Sequence, residues 1–146
     1  MSKWWAGTQE LNCDIQRIKD AVQDLGTFFC SQMKEQPSIS SADVLEQGVG
    51  YITIKSNEST HTRTNVQVKV QGDTVTVEFD EEAKNSATTV TIHYLDEFVG
   101  QSGKVMHKTA FSGVNATGIM GCLYKCFGAG AQGKAHQKAY KTMLET

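Results

Sequence analysis

The stretch NVQVKVQGDTVTVEFD, residues 65–80, repeats with a period of two. Apolar residues alternate with polar ones on both sides of Gly72-Asp73, and they are Val66, Val68, Val70, Val75, Val77 and Phe79. This alternation is typical of antiparallel strands that are buried on one face and wet on the other. Gly-Asp between two such runs indicates a tight hairpin turn. The stretch therefore predicts two antiparallel strands joined by a short turn.

The same period occurs on both sides of this hairpin. Residues 50–55 alternate before it, and TTVTIHYLDEF (88–98) and KVMHKTAF (104–111) alternate after it. The short connections predict a five-stranded meander, and residues 4–11 predict a further strand. A slip of one residue would turn a strand's apolar set outward, so the register should be well specified. We predict that one set of side chains faces the C-terminal helix, namely Val66, Val68, Val77, Phe79, Ile92 and Tyr94.

Helical patterns lie at both ends of the chain. Asn12 predicts an N-cap, followed by an apolar stripe that Gly26 should end, and a second short helix is expected from Phe28 until Pro37. The C-terminal helix is interrupted by FGAGAQG, residues 127–133. Each glycine inside a helix costs about 1 kcal/mol relative to alanine. The glycines therefore indicate a helix break, close packing against the sheet, or space left open for a ligand.

Two segments resemble a known superfamily. LNCDIQRIKDAVQDL (11–25) is similar to the strand-to-helix entry of the START and Bet v 1-like proteins, and FSGVNATGIMGCLYKCFGAGAQGKAHQKAYKTMLE (111–145) is similar to their last strand, glycine-containing link and closing helix. The resemblance implies one α+β domain over residues 1–146 with the helix-grip fold, a curved antiparallel meander around a long C-terminal helix. That family usually has seven strands, so we expect the missing one within residues 33–47.

The resemblance also implies an apolar cavity between the sheet and the C-terminal helix. The residues expected to line it are Val68, Val77, Phe79, Ile92, Tyr94, His107, Leu123, Phe127 and Gly130. His107 alternates with the inward residues, so it could hydrogen-bond a ligand or be satisfied by a neighbouring strand. Gly130 would form a wall if the glycines keep space open.

Composition and spacing argue against several classes of function. The net charge of −2 lacks the basic excess of nucleic-acid-binding proteins. No apolar run approaches the roughly 20 residues of a membrane span, and residues 1–10 show no secretory pattern. We therefore expect a cytoplasmic protein without stable membrane insertion and four free thiols, of which Cys122 and Cys126 should be buried. No four-ligand cluster predicts a metal, and no motif predicts a cofactor.

The sequence contains no motif of a catalytic site. His61 is predicted in a turn, His136 on a helix surface, and Asp80 to Glu82 in a solvated acidic turn. The leading hypothesis is non-enzymatic binding of a small hydrophobic ligand, either a lipid, an aromatic or a polyketide-like molecule. The alternative is a chaperone-like or adaptor-like interaction module with no pocket. A third hypothesis is a polyketide cyclase-like enzyme that uses His107 with Tyr94.

Overall fold

The computed structural model describes residues 2–118 and 121–146, apart from the side chains of Cys122, Leu123 and Phe127. The elements are, in chain order, β1 (Lys3–Leu11), α1 (Ile15–Ala21), α2 (Leu25–Lys34), β2 (Ala42–Gly48), β3 (Tyr51–Ser56), β4 (Ser59–Gln71), β5 (Thr74–Lys84), β6 (Thr88–Gln101), β7 (Lys104–Gly118), α3 (Gly121–Phe127) and α4 (Ala129–Leu144). Within this part of the chain, seven antiparallel strands form one sheet in the order β1-β7-β6-β5-β4-β3-β2.

The central meander has the predicted pairing. Val70 lies opposite Val75, and Gln71 lies opposite Thr74, so β4 and β5 are joined by a two-residue turn. Gly72 occupies that turn with φ of 57°, a left-handed conformation that glycine adopts without strain. The hairpin predicted from residues 65–80 is therefore confirmed.

The strand missing from the sequence pattern is β2, which lies within residues 33–47 apart from its last residue, Gly48. It pairs only with β3 and forms one edge of the sheet, while β1 pairs with β7 and forms the other edge. Ala42 is buried, but the rest of β2 is exposed. An exposed edge strand has no buried face to impose alternation, which is why the pattern did not reveal it.

The inner face of the sheet carries the predicted apolar residues. Val77, Phe79, Ile92 and Tyr94 are buried, and Val66 and Val68 are half-buried against the same core. Tyr94 packs against His136 of α4, with ring centroids 5.4 Å apart. Phe79 instead packs against Phe29 of α2 at 5.1 Å, so α2 and α4 share the covering of this face.

The first two helices begin and end differently from the prediction. The N-cap of α1 is Asp14 rather than Asn12, because the Asp14 carboxylate accepts a hydrogen bond from the backbone N–H of Gln16 at 2.8 Å. The helix ends at Ala21, and Asp24 caps α2 by accepting from Thr27. Gly26 therefore lies inside α2 instead of ending α1. A Cβ at Gly26 would come within 3.2 Å of side-chain atoms of β2, so the glycine allows close packing.

Residues 127–133 combine a helix break with close packing. The break lies at Gly128, where a Cβ would come within 2.6 Å of the Tyr124 carbonyl oxygen. Gly133 packs so closely on the indole of Trp5 that a Cβ would overlap with it. Gly130, the expected pocket wall, is exposed and has no neighbouring atom within 4 Å of an added Cβ. Two of the three explanations offered for the glycines are thus present, at different residues.

Two further observations concern the thiols and the helices. Cys13, Cys30 and Cys126 are free, and burial raises the pKa of the Cys13 and Cys30 thiols. Cys126 is exposed, so the expectation that it is buried is wrong; the same expectation for Cys122 falls on a side chain outside the described residues. None of the described helices combines the length and the hydropathy that crossing a membrane would require.

Candidate ligand-binding cavity

A cavity of about 250 Å³ opens between the inner face of the sheet, the connection from α2 to β2, and the C-terminal helices. Its lining residues are Gln36, Ser38, Ile39, Ser56, Asn57, Ser59, His61, Glu81, Ala83, Val90, Ile92, Tyr94, Tyr124 and Gln132. A second space of about 250 Å³ adjoins it and shares Ser59, Ala83, Val90 and Tyr124 with it. The two spaces together give room for a small organic molecule.

One end of the cavity is polar, and one of its lining residues, Glu81, belongs to a buried ion pair. The register of β4 and β5 places Arg63 directly opposite Glu81, and the Arg63 Nε donates to Glu81 Oε2 at 2.7 Å. The guanidinium lies over the adjacent rings of Phe29 and Phe79, 4.4 Å from each centroid. Both charged side chains are only 6% exposed. Cation–π contacts and the carboxylate together compensate the burial of this arginine.

His61 lies beside this ion pair and is incompletely hydrogen-bonded. Its Nε2 is 2.6 Å from Ser56 Oγ, whereas its Nδ1 is 3.4 Å from Glu81 Oε1 without hydrogen-bond geometry. Among the described residues, Nδ1 is a buried atom with no hydrogen-bond partner. A lone pair on Nδ1 would face the carboxylate, so the favoured tautomer has its proton on Nδ1 and accepts the Ser56 hydroxyl proton at Nε2. We call Ser56, His61, Arg63, Glu81 and Tyr94 the Glu81 cluster.

The electrostatics of the Glu81 cluster keep its carboxylate charged and its phenol neutral. Burial opposes the ionisation of Glu81, but the positive charge of Arg63 and the neighbouring His61 lower its pKa to about 2. Burial raises the pKa of Tyr94 well above its usual value of 10, so its hydroxyl keeps its proton. That hydroxyl donates to Glu81 Oε1 at 3.5 Å, a long contact. Oε1 therefore retains capacity to accept another hydrogen bond.

A second buried polar group lies deeper in the core, around Asp96. Asp96 Oδ1 accepts from His107 Nε2 at 2.7 Å and from the Thr109 hydroxyl at 2.6 Å, and Oδ2 accepts from His136 Nε2 at 2.9 Å. We call these four residues the Asp96 cluster. Asp96 and His107 are fully buried, and none of the four lines the cavity. Burial opposes the ionisation of Asp96, but His136 and His107 hold its pKa well below the usual range.

Glutamine side chains complete the Asp96 cluster. The Gln9 amide nitrogen is 2.9 Å from His107 Nδ1, and the Gln32 amide nitrogen is 3.5 Å from His136 Nδ1. Because amide nitrogens donate, both Nδ1 atoms act as acceptors. Both Nε2 atoms therefore carry a hydrogen and donate it in a hydrogen bond to the Asp96 carboxylate. Each polar atom of Asp96, His107 and His136 therefore has a partner. The Gln32 contact is as long as that of Tyr94 with Glu81, and the other contacts of the network are shorter.

The residues expected to line a pocket are divided among several environments. Ile92 and Tyr94 line the cavity. Val77 and Phe79 are fully buried in the packed core, and Val68 is half-buried beside them. His107 belongs to the Asp96 cluster, and Gly130 is exposed. Leu123 and Phe127 fall in α3, but their side chains lie outside the described part of the structure. A ligand contact stays a prediction for each of these residues.

Three polar residues were assigned to the wrong environment by the sequence. His61 lies in β4 and faces the cavity rather than occupying a turn, and His136 is buried against the sheet rather than on a surface. Glu81 is buried in the middle of β5 instead of lying in a solvated acidic turn. The alternation of Val75, Val77 and Phe79 continues to Glu81, and this continuation was the available signal.

Comparisons with solved structures agree with this architecture. The chain is similar to a conserved protein from Geobacillus kaustophilus, with a TM-score of 0.72 and 7% identity over 96% of this chain and 91% of that one. A START superfamily protein from Mycobacterium smegmatis gives a TM-score of 0.66 and 12% identity, covering 99% and 98% of the two chains. A fragment of a STAR-related lipid transfer protein from Xanthomonas axonopodis gives 0.64 and 12%, covering 97% and 85%.

Comparison of the amino-acid sequence alone finds no match for this chain. No protein-family model matches the chain, and no curated protein matches it. The similarity is therefore one of three-dimensional arrangement: a seven-stranded antiparallel sheet, two short helices after the first strand, and helices that close the inner face. This chain has the helix-grip fold of the START and Bet v 1-like proteins.

Proposed function

We propose that this chain binds a small, largely apolar molecule in the cavity beside the Glu81 cluster. The observation that carries the proposal is Nδ1 of His61, which is buried at the wall of the cavity and has no hydrogen-bond partner in the described part of the chain. A buried polar atom without a partner costs about 1–3 kcal/mol, and a bound molecule would recover that cost. Ligand pockets are mostly apolar with a few polar groups that fix orientation, and this cavity combines both.

The volume narrows the class of ligand. Pockets for drug-sized molecules measure about 300–1,000 Å³. The cavity and the adjoining space are about 250 Å³ each, which suits a compact aromatic or polyketide-like molecule better than a long-chain lipid. Ile92, Tyr94 and Tyr124 supply apolar and aromatic walls. The similarity to a fold whose solved examples include a protein titled as a lipid transfer protein also supports binding of an apolar molecule.

Native mass spectrometry of freshly purified protein tests the proposal, with displacement of an environment-sensitive apolar dye as the second readout. Ala83 lines both spaces, so Ala83→Leu should reduce the space and weaken dye binding at least tenfold. Ala110 lies on the opposite face of the sheet, and Ala110→Leu is the matched control that should leave binding unchanged. Equal binding by the two variants would overturn the proposal.

Hydrolysis of a small ester is a second candidate function, favoured by one arrangement. Ser56 Oγ is 2.6 Å from His61 Nε2, and His61 Nδ1 is 3.4 Å from Glu81, which is the order of nucleophile, base and orienting carboxylate. The enzyme hypothesis based on His107 with Tyr94 loses support, because His107 does not line the cavity. Labelling of Ser56 by a fluorophosphonate, absent in Ser56→Ala and retained in Ser59→Ala, tests this candidate.

The interaction-module alternative rests on the edge hairpin of β2 and β3. Its exposed large apolar residues are Val44, Leu45, Val49 and Tyr51. Exposed apolar surface favours protein contact. A filled core was expected to accompany that function, whereas this core contains the cavity and the unpartnered His61 nitrogen. We therefore favour ligand binding.

A further inference from the structure

We propose that the β2 edge of the sheet binds an extended peptide segment in which basic and apolar residues alternate. The site goes beyond the proposed function, because the groove beside β2 and the cavity share no lining residue. The observation behind the proposal is a difference between the two edge strands of the sheet, β1 and β2.

The β1 edge is covered by the C-terminal helix. Gln137 of α4 donates to the Gly7 carbonyl at 3.0 Å, and Lys141 donates to the Glu10 carbonyl at 2.9 Å. Side chains of α4 therefore supply hydrogen-bond partners for backbone groups of this edge strand. Such cover protects an edge against pairing with another chain.

The β2 edge lacks this cover. It pairs only with β3, and all of its residues after Ala42 are exposed. In the described part of the chain, the side-chain hydrogen bonds nearest to its backbone end on Ser41 N and on the Glu46 carboxylate. The outward N–H and C=O groups of β2 therefore have no side-chain partner there. An edge of this kind is a template on which an extended peptide adds a further strand.

A groove of about 320 Å³ lies between β2 and α2. Thr27, Cys30 and Ser31 of α2 and Ala42 and Val44 of β2 lie along it. Successive side chains of a strand point to opposite faces, so every second side chain of an added segment would enter this groove. Because Cys30, Ala42 and Val44 are apolar, we expect small apolar side chains at those positions.

The other side chains of an added segment would lie beside two carboxylates on the outer face. Asp43 pairs with Lys55 and Glu46 pairs with Thr53, and the intervening residues of β3 are buried on the inner face. Glu46 accepts from the Tyr51 hydroxyl at 3.2 Å, and neither carboxylate forms an ion pair with another described residue. Opposite charges on neighbouring strands stabilise their pairing, so these positions favour lysine or arginine.

A second copy of this chain fits the edge less well. Antiparallel pairing of β2 with the same strand of another copy would bring Asp43 and Glu46 of both chains onto one face. Like charges on neighbouring strands destabilise such a pairing. The net charge of −2 on each chain adds to the repulsion. A basic segment therefore matches the edge better than the chain itself does.

Fluorescence anisotropy with labelled peptides tests the proposal on the unmodified full chain. All peptides have the seven-residue length of β2. One alternates lysine with valine, one alternates glutamate with valine, and one is the lysine–valine peptide with its backbone amides N-methylated. We expect the lysine–valine peptide to bind at least about tenfold more tightly than either of the others. Glutamate would meet the carboxylates of β2, and N-methylation removes the backbone donors.

Two variants of the chain locate the site. Glu46→Lys reverses a charge at an exposed position, so the preference for the lysine–valine over the glutamate–valine peptide should fall to within about threefold. Glu10→Lys makes the same change on the exposed part of β1 and is the matched control, which should keep the full preference. Ser31→Leu narrows the groove and should weaken binding of the lysine–valine peptide, while dye binding in the cavity stays unchanged.

Four results would overturn the proposal. Equal affinities for the lysine–valine and glutamate–valine peptides would contradict the role of the carboxylates, and equal binding of the N-methylated peptide would contradict strand addition. A Glu46→Lys protein that keeps the full preference would exclude β2 as the site. Binding of the chain to phosphatidylcholine vesicles without binding of any peptide would assign the exposed edge to a lipid surface instead. Each of these results leaves the proposed function standing.

Discussion

The Asp96 cluster and the Glu81 cluster are both built around a buried carboxylate and histidine, yet they differ in how completely their atoms are paired. Asp96 accepts three hydrogen bonds, and the far nitrogens of its two histidines contact glutamine amides, at 2.9 Å for His107 and at 3.5 Å for His136. In the Glu81 cluster, His61 Nδ1 has no partner among the described residues, and Tyr94 reaches Glu81 only at 3.5 Å. Of the two clusters, only the Glu81 cluster contributes to the cavity wall, through Ser56, His61, Glu81 and Tyr94.

This difference separates a structural role from a binding role. Fully paired buried networks rigidify a core and fix its geometry. An unpaired buried atom lowers stability, and the partner that we propose for the one beside the cavity is the bound molecule. The chemical type of a buried residue therefore indicates less about its function than whether all of its polar atoms have hydrogen-bond partners.

Breaking the ion pair of the Glu81 cluster should give the largest effect. Arg63→Met leaves the Glu81 carboxylate buried without its cation and should lower the free energy of unfolding by about 3–5 kcal/mol. The double variant Arg63→Met/Glu81→Leu removes both charges and should recover most of that loss. Urea denaturation measures both. A double variant less stable than Arg63→Met would show that the pair itself, rather than its uncompensated half, provides the stability.

Substitution of Asp96, the central hydrogen-bond acceptor, tests the contribution of the Asp96 cluster to stability. Asp96→Asn keeps the shape of the side chain but places an amide donor against the N–H of His107 or His136. We expect a loss of about 3 kcal/mol, because charge-assisted hydrogen bonds are replaced by opposed donors. Urea denaturation is again the measurement, with Asp80→Asn on the outer face as control. A loss below about 1 kcal/mol would contradict the structural role of the network.

Acid should weaken the protein through the Glu81 carboxylate. The folded pKa of Glu81 is lowered to about 2 from an ordinary value of 4.5, so the folded state favours the ionised form. That stabilisation is complete above pH 4.5 and is lost as pH falls toward 2, by up to about 3 kcal/mol. Unfolding curves from pH 7 to pH 2 should show a smaller decline for Arg63→Met/Glu81→Leu. Parallel declines would contradict the contribution of this pair.

The smallest effects are expected at the glycines of the C-terminal helix. Gly130 faces open space, so Gly130→Ala should raise stability by up to about 1 kcal/mol through helix propensity. It should leave the affinity for the apolar dye unchanged. Gly133→Ala should instead lower the melting temperature, because its methyl group would overlap with Trp5. A fall in affinity on Gly130→Ala would restore the glycine as part of a pocket wall.

The sequence predicts those parts of the fold that repeat along the chain. Alternation over residues 65–80 and 88–111 was sufficient for the central meander, because each of those strands has one buried face. β2 lacks that face, and the first half of β4 reads STHTRTN, with no apolar residue to mark the inward side. His61 and Arg63 were therefore not recognisable as inward residues.

The polar clusters could not be predicted for a different reason. They depend on contacts between residues that are distant in the chain, such as Asp96 with His136 or Arg63 with Glu81. Alternation alone places Glu81 on the inner face of β5, but only the strand register supplies its arginine. The completeness of hydrogen bonding is a property of the assembled core, so no local pattern encodes it.

The most direct test of the account compares His61→Leu with His107→Leu in unfolding free energy, measured by urea denaturation at pH 7. His107 connects Asp96 to Gln9, so His107→Leu leaves buried groups unpaired and should cost at least about 2 kcal/mol more than His61→Leu. His61→Leu removes one hydrogen bond, from the Ser56 hydroxyl to Nε2, together with an Nδ1 atom that has no partner among the described residues, so it should have the smaller effect, about 1–2 kcal/mol. Equal losses, or a larger loss for His61→Leu, would contradict the distinction between a structural cluster and a binding cluster.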